Sequence, residues 1–449
     1  MSMNYPPSSS PGVVTMNSSN SDQMQLMQAI LASLPQDKQA PLAAAMALAA
    51  RKAANKKYMR DTQRKVGPAL TNGSATQPYT LNSPITFNLS TSLNGYCEGI
   101  IVRVVLNYQI AGTGVFAPTA AGKLGIIDTV EVRYNKSQVK IRPQILRQLA
   151  LMGALDEFMV PEGVLMGQQD TTLQSYLNAP FPMSVGANST TLEFFIPFNL
   201  INPGDERGLL PLMAGDTGLQ VIVNTPLALL GPDPILNSIF ATGGAGNSVA
   251  VNANSTVQVN AVYRDGDSYT STSKFPFDLS LLEGTFQMQI DQVLSPLVAG
   301  TVQRTKLNIM GKHYYVILLV VDNVQSNLYA TQNNIQYIES SKDGIGGNVF
   351  WKYGIQTNLS YNEFLYQQRF GGAQDLDAGV IPMVTAPVDP EGEGDTRGRE
   401  GKAFLDNTRS GWADWRYGIQ VGAVGAVSST GPRIEPHVFY INPVGLVPV

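Results

Sequence analysis

The 449-residue chain has one cysteine (Cys97), two histidines and three tryptophans, and only 14% of its residues are charged. A single cysteine excludes an intrachain disulfide framework and any zinc-finger arrangement. His313 and His437 are far apart in sequence, so a histidine-based metal site would need several carboxylates from elsewhere. Charged residues usually make up roughly a quarter of a globular chain, and the shortfall argues against a charge-dense helical bundle or coiled coil. An apolar content of 43% is in turn too high for a largely disordered chain. No run approaches the roughly 18 consecutive apolar residues of a membrane span. The opening MSMNYPPSSSPG has neither a basic n-region nor an apolar h-region, so no secretory signal is expected. Matches to Asn-x-Ser/Thr, such as Asn188-Ser-Thr, therefore read as loop chemistry rather than glycosylation sites.

What is present in excess is turn chemistry, with 42 glycines and 28 prolines spread along the chain. Asn, Gln, Ser and Thr supply the polarity that charge does not. Together these point to a β-rich protein with long loops, and the length permits two or three domains of about 150 residues each.

The net charge of −4 hides a split. Residues 1–65 carry eight bases and three acids, a net of +5, and the remainder carries 22 bases and 31 acids, a net of −9. Arg51, Lys52, Lys56, Lys57, Arg60, Arg64 and Lys65 fall in one cluster with a single acid, Asp61. Such asymmetry suggests an arm facing a polyanion, attached to a mildly acidic body. Residues 1–20 are rich in Ser, Pro and Asn and read as disordered. A first helix is expected from Ser21 as N-cap, with Met24, Met27, Ile30, Leu31 and Leu34 on its apolar face, stopping before Pro35. A second is expected from Pro41 through PLAAAMALAA into the basic cluster. At about 100° per residue, Lys52, Lys56, Lys57, Arg60 and Arg64 fall within about 140° of one another, whereas Arg51 and Lys65 lie outside that sector. A cationic face on such a helix suits a membrane surface or nucleic acid, the plain alternative being a solvated helix. Only Tyr58 lies inside the cluster to stack on single-stranded bases, which favours anionic phospholipid over base recognition.

From about Tyr79 the dominant period is two. Ile100, Val102, Val104, Leu106, Tyr108 and Ile110 alternate with Ile101, Arg103, Val105, Asn107 and Gln109. The same pattern recurs at Val130/Val132/Tyr134, Leu192/Phe194/Ile196/Phe198, Leu219/Val221/Val223 and Val257/Val259/Ala261/Tyr263. The polar stretch RDGDSYTSTSKFPFD after Tyr263 reads as a linker. Strands then restart at Phe286/Met288/Ile290, and Tyr314 to Val321 follows, apolar on both faces and therefore central. Val349/Trp351/Tyr353, Val380 to Val384, Trp415/Tyr417/Ile419/Val421 and Val438/Tyr440 complete the series. The absence of helical crossovers between strands argues for antiparallel pairing. The expected layout is an arm at 1–78, a first β-sandwich domain at 79–268 and a second at 269–449. Each half also holds one short helix. In the first, Pro143 opens it, Ile145, Leu149 and Met152 form the stripe, and Gly153 stops it; in the second, Ser360-Tyr-Asn-Glu363 is a capping box before FLYQQRF and Gly371.

Catalytic signatures are missing. Ala117-Pro-Thr-Ala-Ala-Gly122-Lys123-Leu124 fails as a phosphate loop at its first position and after the lysine. Asp343-Gly-Ile-Gly-Gly-Asn lacks dinucleotide-binding spacing and reads as a hairpin loop. No G-x-S-x-G elbow and no H-E-x-x-H occurs. His313 and His437 read as structural or edge histidines, and Cys97 as a small core residue. Asp156/Glu157 and Asp205/Glu206 are the carboxylate pairs a glycosidase would need, but pairs on loops are generally solvated. The run DPEGEGDTRGREGK at 389–402, with alternating charges and four glycines, reads as a mobile exposed loop, and the sequence does not say whether it binds divalent ions.

A basic arm, two successive β-sandwiches and long loops without an active site make a specific combination. Its order resembles the double jelly-roll major capsid proteins of tectivirus-type, tailless bacteriophages with an internal membrane. The matching strings are PITFNLST (84–91), CEGIIVRVVLNYQI (97–110), Leu192-Glu-Phe-Phe-Ile-Pro-Phe198 with NPGDERG (202–208), WADWRYGIQVGAV (412–424) and HVFYINP (437–443). The chain departs from that pattern in its longer second-half loops and first 20 residues, and in an arm that is more basic and split by Pro35 and Pro41. The resemblance implies a mainly β fold of two tandem eight-stranded jelly rolls with a helical N-terminal arm. It implies a non-enzymatic virion protein without a cofactor, forming homotrimers that tile an icosahedral shell. Its partners would be neighbouring trimers, membrane lipids beneath the arm, and minor capsid and vertex proteins, with no sequence-specific nucleic acid. Read from the residues alone, a carbohydrate-binding or glycosidic β-sandwich and a nucleic-acid-binding scaffold are the competing functions.

Overall fold

The computed structural model describes residues 62–151, 184–265, 285–321, 335–354, 380–384, 405–406, 415–422 and 433–442, with interruptions inside the first four ranges. The two arm helices, the capping box at Ser360, both carboxylate pairs and the 389–402 loop lie outside the described residues, as do Arg51, Lys52, Lys56, Lys57 and Arg60.

The first half contributes β1 (Arg64–Pro68), β2 (Thr76–Pro78), β3 (Pro84–Asn88), β4 (Gly95–Ala111), β5 (Ala117–Pro118), β6 (Thr129–Tyr134), β7 (Ser137–Ile141), β8 (Gly186–Pro197), β9 (Leu210–Leu212), β10 (Leu219–Asn224), β11 (Phe240–Ala241), β12 (Ser248–Val251) and β13 (Thr256–Asp265). One helix, α1 (Pro143–Leu151), follows β7. The second half contributes β14 (Thr285–Ile290), β15 (Gln303–Lys306), β16 (Lys312–Val321), β17 (Ile335–Lys342), β18 (Val349–Gly354), β19 (Val380–Val384), β20 (Leu405–Asp406), β21 (Trp415–Val421) and β22 (Arg433–Asn442). Every alternating run read from the sequence is a strand, and the fold is mainly β. Pro143 opens α1, with Ile145 and Leu149 buried. The remainder of its expected stripe, Met152, and its stop, Gly153, fall outside the described residues.

The first sandwich forms because alternation gives each strand one apolar face. In β4, Ile100, Val102, Val104, Leu106, Tyr108 and Ile110 are fully buried while Arg103 and Gln109 are exposed. β4 pairs with β8, β9, β12 and β13, and β13 with β1 and β2, giving a seven-stranded sheet. Opposite it, β3, β10, β6 and β7 supply Phe87, Val221, Val130 and Val139 to the same core. In the second sandwich, β14, β22, β16, β19 and β20 form one sheet and β15, β21, β17 and β18 the other.

The two halves are not independent layers. β7 of the first half pairs in parallel with β14 of the second, Val139 opposite Met288, so that a single nine-stranded sheet runs through both sandwiches. β16 shows why its sequence is apolar on both faces. Val316, Leu318 and Val320 enter the second core beside Tyr417 and Ile419, whereas Ile317 and Leu319 belong to the first core. β22 divides in the same way, with Val438 and Tyr440 on one side and Phe439 on the other.

The arm–body boundary expected at 78/79 is crossed by structure. Arg64–Pro68 is not the end of a helix but strand β1, in antiparallel register with β13 from Arg64↔Arg264 to Pro68↔Asn260. The ladder offers this backbone hydrogen bonds in the sheet that a helix would forgo. β13 also runs past Tyr263 to Asp265, so the linker starts later than its polar composition suggests. At the bulge between Val262 and Tyr263, Val262 faces Gly99 and Tyr263 faces Cys97, which leaves Glu98 as the extra residue.

Two outcomes follow from this packing. Leu318→Ala and Leu319→Ala empty different cores, and each should cost about 2–5 kcal/mol. Because one sheet serves both cores, calorimetry should record a single shifted transition for either variant; two separable transitions would contradict the shared sheet. Gly99→Ala should also destabilise, since its Cβ would lie 2.5 Å from the Ile196 carbonyl oxygen and 2.6 Å from the Phe195 ring. Urea unfolding reads that loss directly.

Candidate functional site

The face of β22 and β16 turned toward the first half carries Ile317, Leu319 and Phe439 and then becomes polar at Glu435 and His437. Glu435 is 2% exposed and His437 is fully buried. Arg142, at the junction of β7 and α1, reaches this place from the first half. Its Nε and Nη2 donate to Oε1 and Oε2 of Glu435, the second at 3.0 Å, in a bidentate pair between residues 293 apart. Nη1 donates to the Asp128 carboxylate and, at 3.3 Å, to the Asp128 carbonyl oxygen. His437 Nε2 donates to Glu435 Oε1 at 3.0 Å, because a carboxylate can only accept. Among the described residues, the seam between the sandwiches thus combines an apolar patch with a buried ionic clamp.

Burial opposes charge on every member, but the neighbours decide the outcome. Desolvation works against ionised Glu435, yet Arg142 and the His437 hydrogen bond hold its carboxyl well below the usual range. Arg142 loses solvation too, and the charges of Glu435 and Asp128 more than restore its preference for the cation. His437 is pushed below its ordinary value, chiefly by burial, with Arg142 adding to it against the pull of Glu435. Protonating the ring would place a proton on Nδ1, which is buried and has no hydrogen-bond partner. His437 is accordingly a neutral structural histidine, as its place in an apolar strand suggests. His313 is buried as well, donates from Nε2 to the Ile309 carbonyl at 2.9 Å and stacks on Tyr440 at 5.8 Å.

Three further buried carboxylates are likewise satisfied by cations, here from the same strand or from another strand of their own sheet. Glu98 accepts from Arg64 Nε at 2.6 Å and Arg264 Nε at 2.5 Å. Glu131 pairs with Arg133 at 2.5 Å and Lys140 at 2.9 Å; burial raises its pKa, but these two cations bring it below the ordinary value. Glu339 takes Arg304 and the Tyr337 hydroxyl, the latter at 2.9 Å. Of the basic residues read as polyanion-facing, Arg64 is therefore engaged with Glu98, and Lys65 is exposed on β1 opposite Tyr263. Cys97 is buried, and burial pushes its thiol well above the ordinary range, as befits a core residue. Asn188 donates to the carbonyls of Ser184 and Gly186 at 2.8 and 3.0 Å, which is local backbone chemistry at the start of β8.

Sequence reading passed over Glu98, Glu131, Glu339, Arg142 and Glu435. A signal was available for Glu98, Glu131 and Glu435: each is a single carboxylate inside a largely apolar strand, as in TVEVRY or RIEPHVFY. Among the described residues there is no group of three or more His, Cys, Asp or Glu able to hold a metal ion, and no helix long and apolar enough to cross a membrane.

The clamp predicts acid sensitivity with a definite sign. Glu435 has a folded pKa below the reference value of 4.5, so its stabilisation is complete above that pH and fades as pH falls. His437 lies below its reference of 6.5, so the unfolded chain takes up a proton there first and acidification again disfavours the fold. The unfolding temperature should fall continuously from pH 7 toward pH 4. Arg142→Met strands Glu435 in a buried position and should cost about 3–5 kcal/mol at neutral pH. Fluorescence-monitored thermal melts of both proteins across this pH range check both statements.

No protein-family model matches the chain, and no curated protein matches it in sequence. Solved structures do. The chain is similar to the MCP of STIV, Sulfolobus Turreted Icosahedral Virus, with TM-score 0.50 and 11% identity over 84% of this chain and 97% of that one. It is similar to the PBCV-1 virus capsid, with TM-score 0.50 and 11% identity over 84% and 94%. It is also similar to the Faustovirus major capsid protein, with TM-score 0.50 and 8% identity over 85% and 89%. Identities this low speak to fold rather than activity. The chain shares the double jelly-roll fold of those structures.

Proposed function

We propose that this chain is the building block of a viral shell, a major capsid protein located in the virion and acting mechanically rather than as an enzyme. The observation that carries the reading is the pair of sandwiches locked by the nine-stranded sheet and the Arg142–Glu435 clamp. A rigid double barrel is what a shell needs from each subunit, and capsid proteins of three viruses share the fold across most of their length. Taken three times around an axis, two barrels give six and a nearly hexagonal outline that tiles an icosahedral facet. Closed symmetry of this kind buries the same surfaces in every subunit. The scarcity of charge, 14% of residues, fits such burial, because interface cores are depleted in charged side chains.

In this reading the N-terminal arm lies under the shell, with Arg51, Lys52, Lys56, Lys57 and Arg60 toward an internal membrane. Each such cation near an anionic surface contributes about 1 kcal/mol. Arg64 and Lys65 take part less, being on β1 of the first sandwich. Partners are neighbouring trimers, membrane lipid, and minor capsid and vertex proteins, with no cofactor and no sequence-specific nucleic acid.

Light scattering of the full chain should give the mass of a trimer at micromolar concentration. A stable monomer there would count decisively against the shell reading. Deleting residues 1–61 should leave the trimer intact and abolish binding to vesicles containing anionic lipid.

A further inference from the structure

β1 is an edge strand with little apolar hold on the body. Among the described strands it pairs with β13 alone. Arg64, Lys65, Val66 and Pro68 are exposed, and Gly67 is the one buried residue of the strand. The register sets Arg64 directly opposite Arg264, and like charges facing each other across two strands oppose their pairing. Glu98 answers both. The bulge leaves it as the extra residue of β4, and its two oxygens are divided between the arginines. Oε2 accepts from Arg64 Nε at 2.6 Å and Oε1 from Arg264 Nε at 2.5 Å. Arg264 Nη1 also donates to the Thr62 carbonyl oxygen at 3.0 Å, just ahead of the strand. Glu98 is 7% exposed, so salt and water screen these contacts weakly. Beyond the strand the hold changes in kind. Ala69 is fully buried in the first core and donates its N–H to the Val259 carbonyl oxygen at 2.9 Å.

We propose that β1 is a releasable strap and that Glu98 is its latch, a positioning residue that fixes where residues 1–61 leave the first sandwich. Whatever else each guanidinium touches, Glu98 is an acid that Arg64 and Arg264 share. With the carboxylate charged, both arginines are drawn to one centre and β1 stays on the edge of β13. With that charge gone, the same two arginines push the strands apart, and β1 has no buried side chain to resist them. Release stops at Ala69, where burial in the core anchors the chain. It moves the root of the arm by the five residues of the strand, roughly 17 Å at about 3.3 Å per residue. It also bares the backbone edge of β13 from Asn260 to Arg264. The latch goes beyond the shell reading, since it belongs to the fold and operates whatever the chain builds.

Hydrogen exchange of the full chain, read by mass spectrometry on peptides covering β1 and β8, tests this. Glu98→Gln keeps the shape of the side chain and removes its charge. The β1 amides of that variant should exchange at least about tenfold faster than in the wild type, while those of β8 stay unchanged. Arg64→Gln should speed β1 exchange about threefold in the wild type, because it removes one of the two contacts of the latch. In the Glu98→Gln background the same substitution should slow it, because it removes the repulsion. That reversal of sign separates a charge latch from a residue that merely packs. Arg103→Gln, which breaks the Arg103–Glu193 pair on the same sheet, should leave β1 as it is. Unchanged β1 exchange in Glu98→Gln overturns the proposal. So does faster exchange that spreads equally into β8, or an Arg64→Gln substitution that loosens β1 in both backgrounds. If Glu98→Gln does not fold, Arg64→Gln and Arg103→Gln decide on the wild type: equal β1 exchange in the two overturns the latch, and faster exchange in the first alone supports it.

Discussion

β16 and β22 are covered on both faces, and the rest of the architecture follows from that double burial. A strand with one apolar face needs one partner layer; a strand with two needs a layer on each side. Ile317, Leu319 and Phe439 supply the first core while Val316, Leu318 and Val438 supply the second. Cutting the chain between its halves would expose one of those faces to water. The sandwiches are therefore held together by the same hydrophobic term that folds each of them, with the parallel pairing of β7 and β14 setting their register.

The buried ions add orientation to that adhesion. An apolar seam tolerates sliding, whereas a bidentate arginine–carboxylate pair has one geometry. Arg142 meets both Glu435 and Asp128, so the junction before α1 is tied at once to β22 and to its own half. Replacing such a pair with apolar residues is often neutral for stability, which makes alignment rather than adhesion its contribution here. Glu98 plays a comparable part at the β4 bulge, where Arg64 and Arg264 hold β1 and β13 around one carboxylate.

Strand positions were largely legible in the residues because period-two alternation is a local property. The runs at 100–110, 192–198 and 257–263 are strands with the expected faces inward, and the two-faced apolar run after Tyr314 is central, as its composition demands. The entry into the body was not legible. RKVGP reads as the tail of a basic helix, and only the waiting edge of β13 makes it a strand. Single acids within apolar strands marked Glu98, Glu131 and Glu435 as unusual, but not what they meet.

By itself, the sequence determined the β class, the order of the strands, the faces that turn inward and the concentration of positive charge in residues 1–65. Each of these depends on spacing over a few residues or on a sum over the chain. The tertiary structure alone decided that the two sandwiches share a sheet, that Arg142 finds Glu435 across 293 positions, and that Arg64–Pro68 pairs with β13. Those are pairings between distant segments. Strand register and long-range packing set them, and neither leaves a trace in the local pattern of residues.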